Sequence, residues 1–317
     1  MKRFIYLFIT IFFPGILFSQ DRYQTYFIDS VEVETFTYAT KDGEKLELDV
    51  YQPFDDWEEN RAVIIYVHGG GFSGGSRNDE NNINFCKRLA ELGYVSVSMS
   101  YRLTRKDKPE GFGCNCTASD KLNTFNAAME DIQEASYFLI ENRDMLRIDP
   151  QKIILAGSSA GAEAILYSGY QPPMCYDLPS GPVSYAGLIS MAGAIPDTSY
   201  IYNESAVPTM FFHGTCDNLV PFAAAPHHYC NENQEGYLVL HGSYTIAQKL
   251  RELNVPYWLH TSCGSGHEIA GKPMTEYFDE ITEFCYQYII REEGEFRETV
   301  MPGEQANCDY KQFNFYK

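Results

Sequence analysis

The sequence predicts an α/β protein with a mostly parallel central sheet of about eight strands and helices on both faces. Two observations carry this. Short, continuously apolar runs alternate with helix-spaced segments almost to the end of the chain, and strands apolar on both sides belong to sheets covered on both sides. The 317 residues are 44% hydrophobic, which suits one large core and would be cramped for two. Taken in order, residues 31–40 and 45–51 alternate apolar and polar side chains around Lys41-Asp42-Gly43, a hairpin signal that adds antiparallel strands at one edge. Residues 62–67 read as a buried strand, 82–92 as a helix closed by Gly93, and 94–101 as the next strand. A polar loop follows at 103–123, then a helix at 125–143 and a short buried strand at 152–156. A helix starts directly after Ser159. The second half repeats the rhythm, with strands at 185–192, 208–212 and 257–261 and helices at 244–253 and 275–290. The tail from Arg291 is polar and is expected on the surface.

Residues 1–20 read as an export signal, which leaves 21–317 as one domain. Lys2 and Arg3 form a charged start, and residues 4–18 are apolar apart from Thr10, Pro14 and Gly15. As a helix that run spans roughly 22 Å, short of a ~30 Å hydrocarbon core, so cleavage fits better than a stable membrane anchor. The first cysteine is Cys86, which argues against a lipid anchor near the cleavage point. The expected location is secreted or periplasmic. With 24 Lys and Arg against 43 Asp and Glu, the formal charge is −19. A surface so acidic repels nucleic acid and anionic lipid. Nine cysteines in an exported chain imply disulfides and at least one thiol left over, with connectivity open. No C-x-x-C pair has a matching second pair, so no metal site is expected. The adjacent His227 and His228 are expected in a surface or capping role.

Four segments carry chemistry. Strand 152–156 runs into Gly157-Ser158-Ser159-Ala160-Gly161 and then a helix, the G-x-S-x-G pattern that exposes a nucleophilic serine on a sharp turn. Ser158 is read as structural. His68-Gly69-Gly70-Gly71-Phe72 follows strand 62–67, and its glycines free backbone N–H groups to meet a developing oxyanion. The expected donors are Gly70, Gly71 and Ala160, with His68 bracing the loop. Asp217 lies just past strand 208–212 in His213-Gly214-Thr215-Cys216-Asp217, where a carboxylate can reach an imidazole. Asp197 and Asp149 are the rival acids. His267 lies in the Gly-rich loop after strand 257–261, downstream of both. Ser159, Asp217 and His267 thus read as nucleophile, orienting acid and base, a set in which the base takes the serine proton and the acid fixes its tautomer. The base must be neutral to act, so activity is expected to fall at acid pH.

These residues resemble the α/β-hydrolase superfamily, and within it the exported bacterial carboxylesterases of the hormone-sensitive-lipase and acetyl/feruloyl-esterase kind. The resemblance runs through residues 46–53, the loop 68–72, Tyr101-Arg102-Leu103, Ile148-Asp149-Pro150, the Ser159 elbow, 213–221 and Gly266-His267, and covers roughly 31–290. It implies the α/β-hydrolase fold and hydrolysis of small-molecule or carbohydrate-linked carboxylic esters through an acyl-enzyme, with no cofactor. Two features depart from the pattern. Gly161-Ala162 stands where paired glycines are common, and Asp217 and His267 are far apart because 222–242 reads as an insertion. That insertion and the long 103–123 loop are expected to overhang the site. A peptidase of the prolyl-oligopeptidase type is the rival enzyme, but the chain has no room for the propeller domain such enzymes usually carry. A non-catalytic binding protein on this fold is the rival outside catalysis. Such proteins typically lose a member of the set, and here all are present.

Overall fold

The computed structural model describes residues 22–26, 28–170, 183–303 and 308. The expected export signal lies outside them. The chain opens with an antiparallel hairpin, β1 (Val31–Lys41) and β2 (Glu44–Pro53). Asp42 and Gly43 both have positive φ, 51° and 83°, the two-residue turn whose twist matches paired strands. Then come β3 (Arg61–Val67), α1 (Glu80–Glu91), β4 (Val95–Met99), α2 (Ala118–Glu141) and the short α3 (Arg143–Leu146). Next are β5 (Ile148–Ser158), α4 (Ala160–Tyr170), β6 (Gly187–Met191) and β7 (Ala194–Ile195). The last third holds β8 (Thr209–Gly214), β9 (Ala224–Pro226), β10 (Val239–Gly242), α5 (Ser243–Glu252) and β11 (Tyr257–Cys263). It ends with α6 (Pro273–Glu276), α7 (Phe278–Phe284) and β12 (Phe296–Pro302).

The main sheet has nine strands in the order β1-β2-β4-β3-β5-β6-β8-β11-β12. It is antiparallel at the hairpin edge and parallel from β4 onward. Alternate residues of one strand feed opposite cores. Val63, Ile65 and Val67 pack with Phe125 and Ile132 of α2 and Ile165 of α4. Ala62, Ile64 and Tyr66 pack with Phe85 and Leu89 of α1 and Ile281 of α7. Each fully buried large apolar side chain contributes about 1.5–3 kcal/mol, so this two-sided burial fixes the strand register. It also explains why the strands read as unbroken apolar runs.

Several expectations are corrected. The tail after Arg291 is not merely surface chain: Phe296–Pro302 pairs in parallel with β11 as the edge strand. Its burial alternates between half-buried and exposed, because an edge strand gains most of its order from backbone pairing. The helix expected at 125–143 starts earlier, at Ala118, where the Thr117 side chain accepts the N–H of Asp120 at 3.1 Å. That shortens the loop to 103–117. The helix expected at 275–290 breaks at Tyr277, between α6 and α7, and its last turn, Cys285–Ile290, is a wide π-type turn.

The 222–242 insertion is a hairpin-like excursion. β10 pairs antiparallel with β9 and with β7, making a small second sheet. Two disulfides are present among the described residues, Cys114–Cys230 and Cys216–Cys308, with Cα separations of 5.3 and 5.5 Å. The first joins the 103–117 loop to the insertion. The second ties the loop that carries Asp217 to the C-terminal tail. Among the described residues no helix is long and apolar enough to cross a membrane.

Candidate active site

Ser159 stands alone between the last residue of β5 and the first of α4, with φ 53°. A left-handed φ is costly outside glycine and persists only where the surroundings over-determine it. Here the Ser159 N–H donates to Met191 O on the neighbouring strand at 2.8 Å, and Ser159 O accepts the Glu163 N–H at 3.0 Å. A Cβ on Gly161 would lie 2.0 Å from Val67 O, so only glycine lets α4 approach β3 this closely. The Ser158 hydroxyl donates to Ala270 O at 2.8 Å, a structural contact as expected.

Asp217 and His267 project from the ends of β8 and β11, adjacent parallel strands. Their loops are zipped together by Cys216 N–H to Ser265 O at 2.9 Å and Thr215 N–H to Ser262 O at 3.1 Å. His267 Nδ1 lies 2.7 Å from Asp217 Oδ2, and His267 Nε2 lies 2.7 Å from Ser159 Oγ. A carboxylate can only accept, so the imidazole proton sits on Nδ1 and Nε2 is free to accept from the serine. Asp217 Oδ1 also accepts the N–H groups of Leu219 and Val220, each at 2.9 Å. Burial pushes the Asp217 carboxyl up, but hydrogen bonds from His213 and His267 outweigh it and hold the group well below the usual carboxylate range. It therefore stays ionised at neutral pH.

The glycine loop leaves β3 against Ser159: a Cβ on Gly69 would lie 3.2 Å from Ser159 Cβ. Gly70 has φ 120° and Gly71 60°, and Gly70 O accepts the N–H groups of Ser73 and Gly74 at 3.1 and 3.0 Å. The Gly70 and Gly71 N–H groups have no partner among the described residues. Ala160, the third expected donor, begins α4 directly after Ser159. His68 braces the loop: its Nδ1 bonds Gly69 O at 2.7 Å and its own carbonyl accepts the Tyr101 hydroxyl at 2.8 Å.

The rival acids lie elsewhere. Asp197 is exposed and caps a short turn by accepting the Ser199 N–H at 2.7 Å. Asp149 sits at the start of β5, the strand end away from Ser159. Open concavities lined by Pro150 and Gln151 are at that far end too and are not part of this site. Among the described residues no group of three or more His, Cys, Asp or Glu could hold a metal.

Sequence reasoning missed two neighbours. His213 is fully buried, with Nε2 3.0 Å from Val220 O and 3.5 Å from Asp217 Oδ2. Its position four residues before Asp217 was a local signal for this contact. His227, expected at the surface, is also fully buried, with Nε2 3.4 Å from Glu163 Oε1. No local pattern marks that pairing, because the insertion folds back over α4.

The family described as BD-FAE matches residues 48–173, the stretch from β2 through α4. The solved structure of Thermogutta terrifontis esterase 2 phosphorylated by paraoxon superposes with TM-score 0.60 at 19% identity, covering 82% of this chain and 94% of that one. The chain has the α/β-hydrolase fold. Among curated proteins, this chain is 28% identical over 131 residues to an ethyl acetate hydrolase of Pseudomonas putida, 41% of this chain and 36% of that protein. It is 29% identical over 147 residues to the non-reducing polyketide synthase trt4 of Aspergillus terreus, 46% of this chain and 6% of that protein. The chain thus spans well under two thirds of the length of these curated relatives.

Proposed function

We propose that this α/β-hydrolase cleaves carboxylic esters, small acyl esters first among them, through an acyl-enzyme on Ser159. The observation that carries the reading is the continuous Ser159–His267–Asp217 chain, two contacts of 2.7 Å, lying against a glycine loop with unpaired N–H groups. His267 Nε2 takes the Ser159 proton as Oγ bonds the ester carbonyl carbon. Gly70, Gly71 and Ala160 hold the oxyanion. Collapse breaks the bond to the alcohol oxygen, which leaves with the proton from His267. Water, deprotonated by His267, attacks the acyl carbon, the acid departs and Ser159 regains its proton. Asp217, ionised throughout, steadies the imidazolium in both halves. The similarity to an ethyl acetate hydrolase favours a short acyl group.

In this reading residues 1–20 direct export, 21–317 form the mature enzyme, and the two disulfides fit an oxidising compartment. The test is hydrolysis of p-nitrophenyl acetate, butyrate and octanoate by the mature protein and by Ser159→Ala. The expected outcome is turnover by the wild type and a loss of at least roughly a thousand-fold in the variant. Equal activity in both proteins would remove Ser159 from the mechanism. Inactivity of both, with no labelling of the wild type by an active-serine phosphonate, would favour a non-catalytic role.

A further inference from the structure

One cluster of ionisable groups near the site takes no part in this chemistry. Glu163 is on the first turn of α4, four residues after Ser159, and is 2% exposed. His227, from the 222–242 insertion, and Lys121, from α2, are both fully buried beside it. Lys121 has a clear task, since its Nζ donates to Gly236 O at 2.7 Å and ties α2 to the insertion. Glu163 and His227 have none. Glu163 Oε1 and both ring nitrogens of His227 make no hydrogen bond among the described residues, while Oε1 and Nε2 stand 3.4 Å apart. A buried polar group without a partner is costly and calls for an explanation.

The surroundings supply one. His227 starts a short turn whose next two residues, His228 and Tyr229, both hold left-handed backbone, with φ 56° and 51°. Neither is glycine, so something outside the turn must hold it. One hold is the Cys114–Cys230 disulfide directly behind the turn. Another is the His228 N–H donating to Leu219 O at 2.8 Å, on the loop that carries Asp217. The third is His227 against Glu163. The turn leaves His228 half-buried and Tyr229 42% exposed. Burial and then Lys121 and His267 push the His228 imidazole down to about 4. Through Leu219, whose own N–H donates to Asp217 Oδ1 at 2.9 Å, His228 stands against the loop that carries the acid.

The geometry points to Glu163 and His227 as positioning residues that dock the 222–242 segment on the nucleophile helix, so that His228 and Tyr229 form one wall of the substrate cleft. This rests on the esterase reading only in its kinetic part. Burial raises the Glu163 carboxyl well above its ordinary range and lowers the His227 imidazole, so both groups favour their uncharged forms and a neutral acid faces Nε2 at 3.4 Å. An amide can do the same, which makes Glu163→Gln the conservative rescue and Glu163→Leu the disruptive change.

Two measurements on the full chain decide it. In hydrogen exchange, Glu163→Leu is expected to speed exchange across 222–242 by roughly ten-fold or more while β3 and β5 stay protected, and Glu163→Gln to match the wild type. In kinetics, Glu163→Leu is expected to raise KM for the largest p-nitrophenyl ester the wild type turns over by roughly ten-fold. Its kcat on p-nitrophenyl acetate should stay within about three-fold, and Glu163→Gln should restore both. Unchanged exchange in Glu163→Leu, or a Gln variant as impaired as the Leu variant, overturns the proposal. So does an equal loss of kcat on both esters with KM unmoved. If Glu163→Leu does not fold, His227→Leu replaces it in both assays with the same expectations. A wild type inactive on every ester defeats the esterase reading and leaves the exchange result to decide the docking.

Discussion

The turns that carry Ser159 and the glycine loop are held in a different way from the segments 103–117 and 222–242, an overhang on α4. The turns are fixed by main-chain limits: Gly161 admits no Cβ against Val67 O, and Ser159 is pinned through its own N–H and carbonyl. The overhang is fixed by side chains and a cross-link from distant parts of the chain: Cys114 to Cys230, Lys121 to Gly236, His227 against Glu163. The first kind of construction fixes atoms to within a few tenths of an ångström, as attack on a carbonyl requires. The second can be rebuilt by changing a few residues without touching the chemistry. Substitutions on the two sides should therefore separate loss of turnover from loss of substrate fit.

The largest effect is expected on the rigid side. Asp217→Asn keeps the shape but favours the wrong imidazole tautomer, and kcat/KM on p-nitrophenyl acetate should fall by roughly a thousand- to ten-thousand-fold. The same variant tests the electrostatics. Hydrogen bonds from His213 and His267 keep the buried Asp217 carboxyl depressed in the folded state. A depressed folded value means that the group adds stability that is full above the unfolded value near ~3.9 and is lost as pH falls through the folded value. Urea midpoints of wild type and Asp217→Asn should differ at pH 7 and begin to approach each other only as pH falls below about 4. Parallel curves across that window would show that the carboxylate brings no such stabilisation.

This division also marks what the sequence could reveal. Each element of the triad chain announces itself locally: a glycine-flanked serine after an apolar strand, an aspartate past a strand end, a histidine in the last Gly-rich loop. The glycine loop does the same. Main-chain limits leave a residue-type signature at the position they constrain. The overhang has no such signature. Cys114 and Cys230 are 116 residues apart, and nothing near either one names its partner. His227 looks like a surface histidine until the insertion is folded back on α4. The edge strand β12 was missed because Phe296–Pro302 buries no continuous face and takes its order from β11. The start of α2 was legible after all, in Thr117 three residues before Asp120, and only its polar first turn disguised it.

A smaller effect is expected from the overhang. Replacing Cys114 and Cys230 together by serine opens a loop spanning 116 residues. Chain-entropy reasoning puts the loss at about 4–5 kcal/mol, and typical measured losses are about 2–4 kcal/mol. Urea unfolding of the double variant should show it, while kcat on p-nitrophenyl acetate stays within about three-fold. A fall in that kcat comparable to Asp217→Asn would mean that the overhang is part of the rigid machinery, and the comparison would break.

The smallest effect is expected at the sheet edge, remote from both regions. Arg297 on β12 pairs with Glu283 at 2.6 Å, both side chains more than a third exposed, and its guanidinium lies 3.7 Å over the Trp258 ring. An exposed ion pair is worth about 0–1 kcal/mol and fades with salt, whereas a cation over indole contributes about 0.5–1 kcal/mol. Arg297→Ala removes both contacts and Glu283→Gln removes only the pair. If stacking holds the edge, the alanine variant should lose about 0.5–1 kcal/mol at low and high salt alike. The glutamine variant should then be indistinguishable from wild type. If the ion pair holds it, the two variants should lose the same amount at low salt and nothing at 1 M NaCl, where the Debye length shrinks to about 3 Å. Neither variant should alter kcat, since Arg297 and Glu283 meet each other and Trp258, none of which belongs to the site.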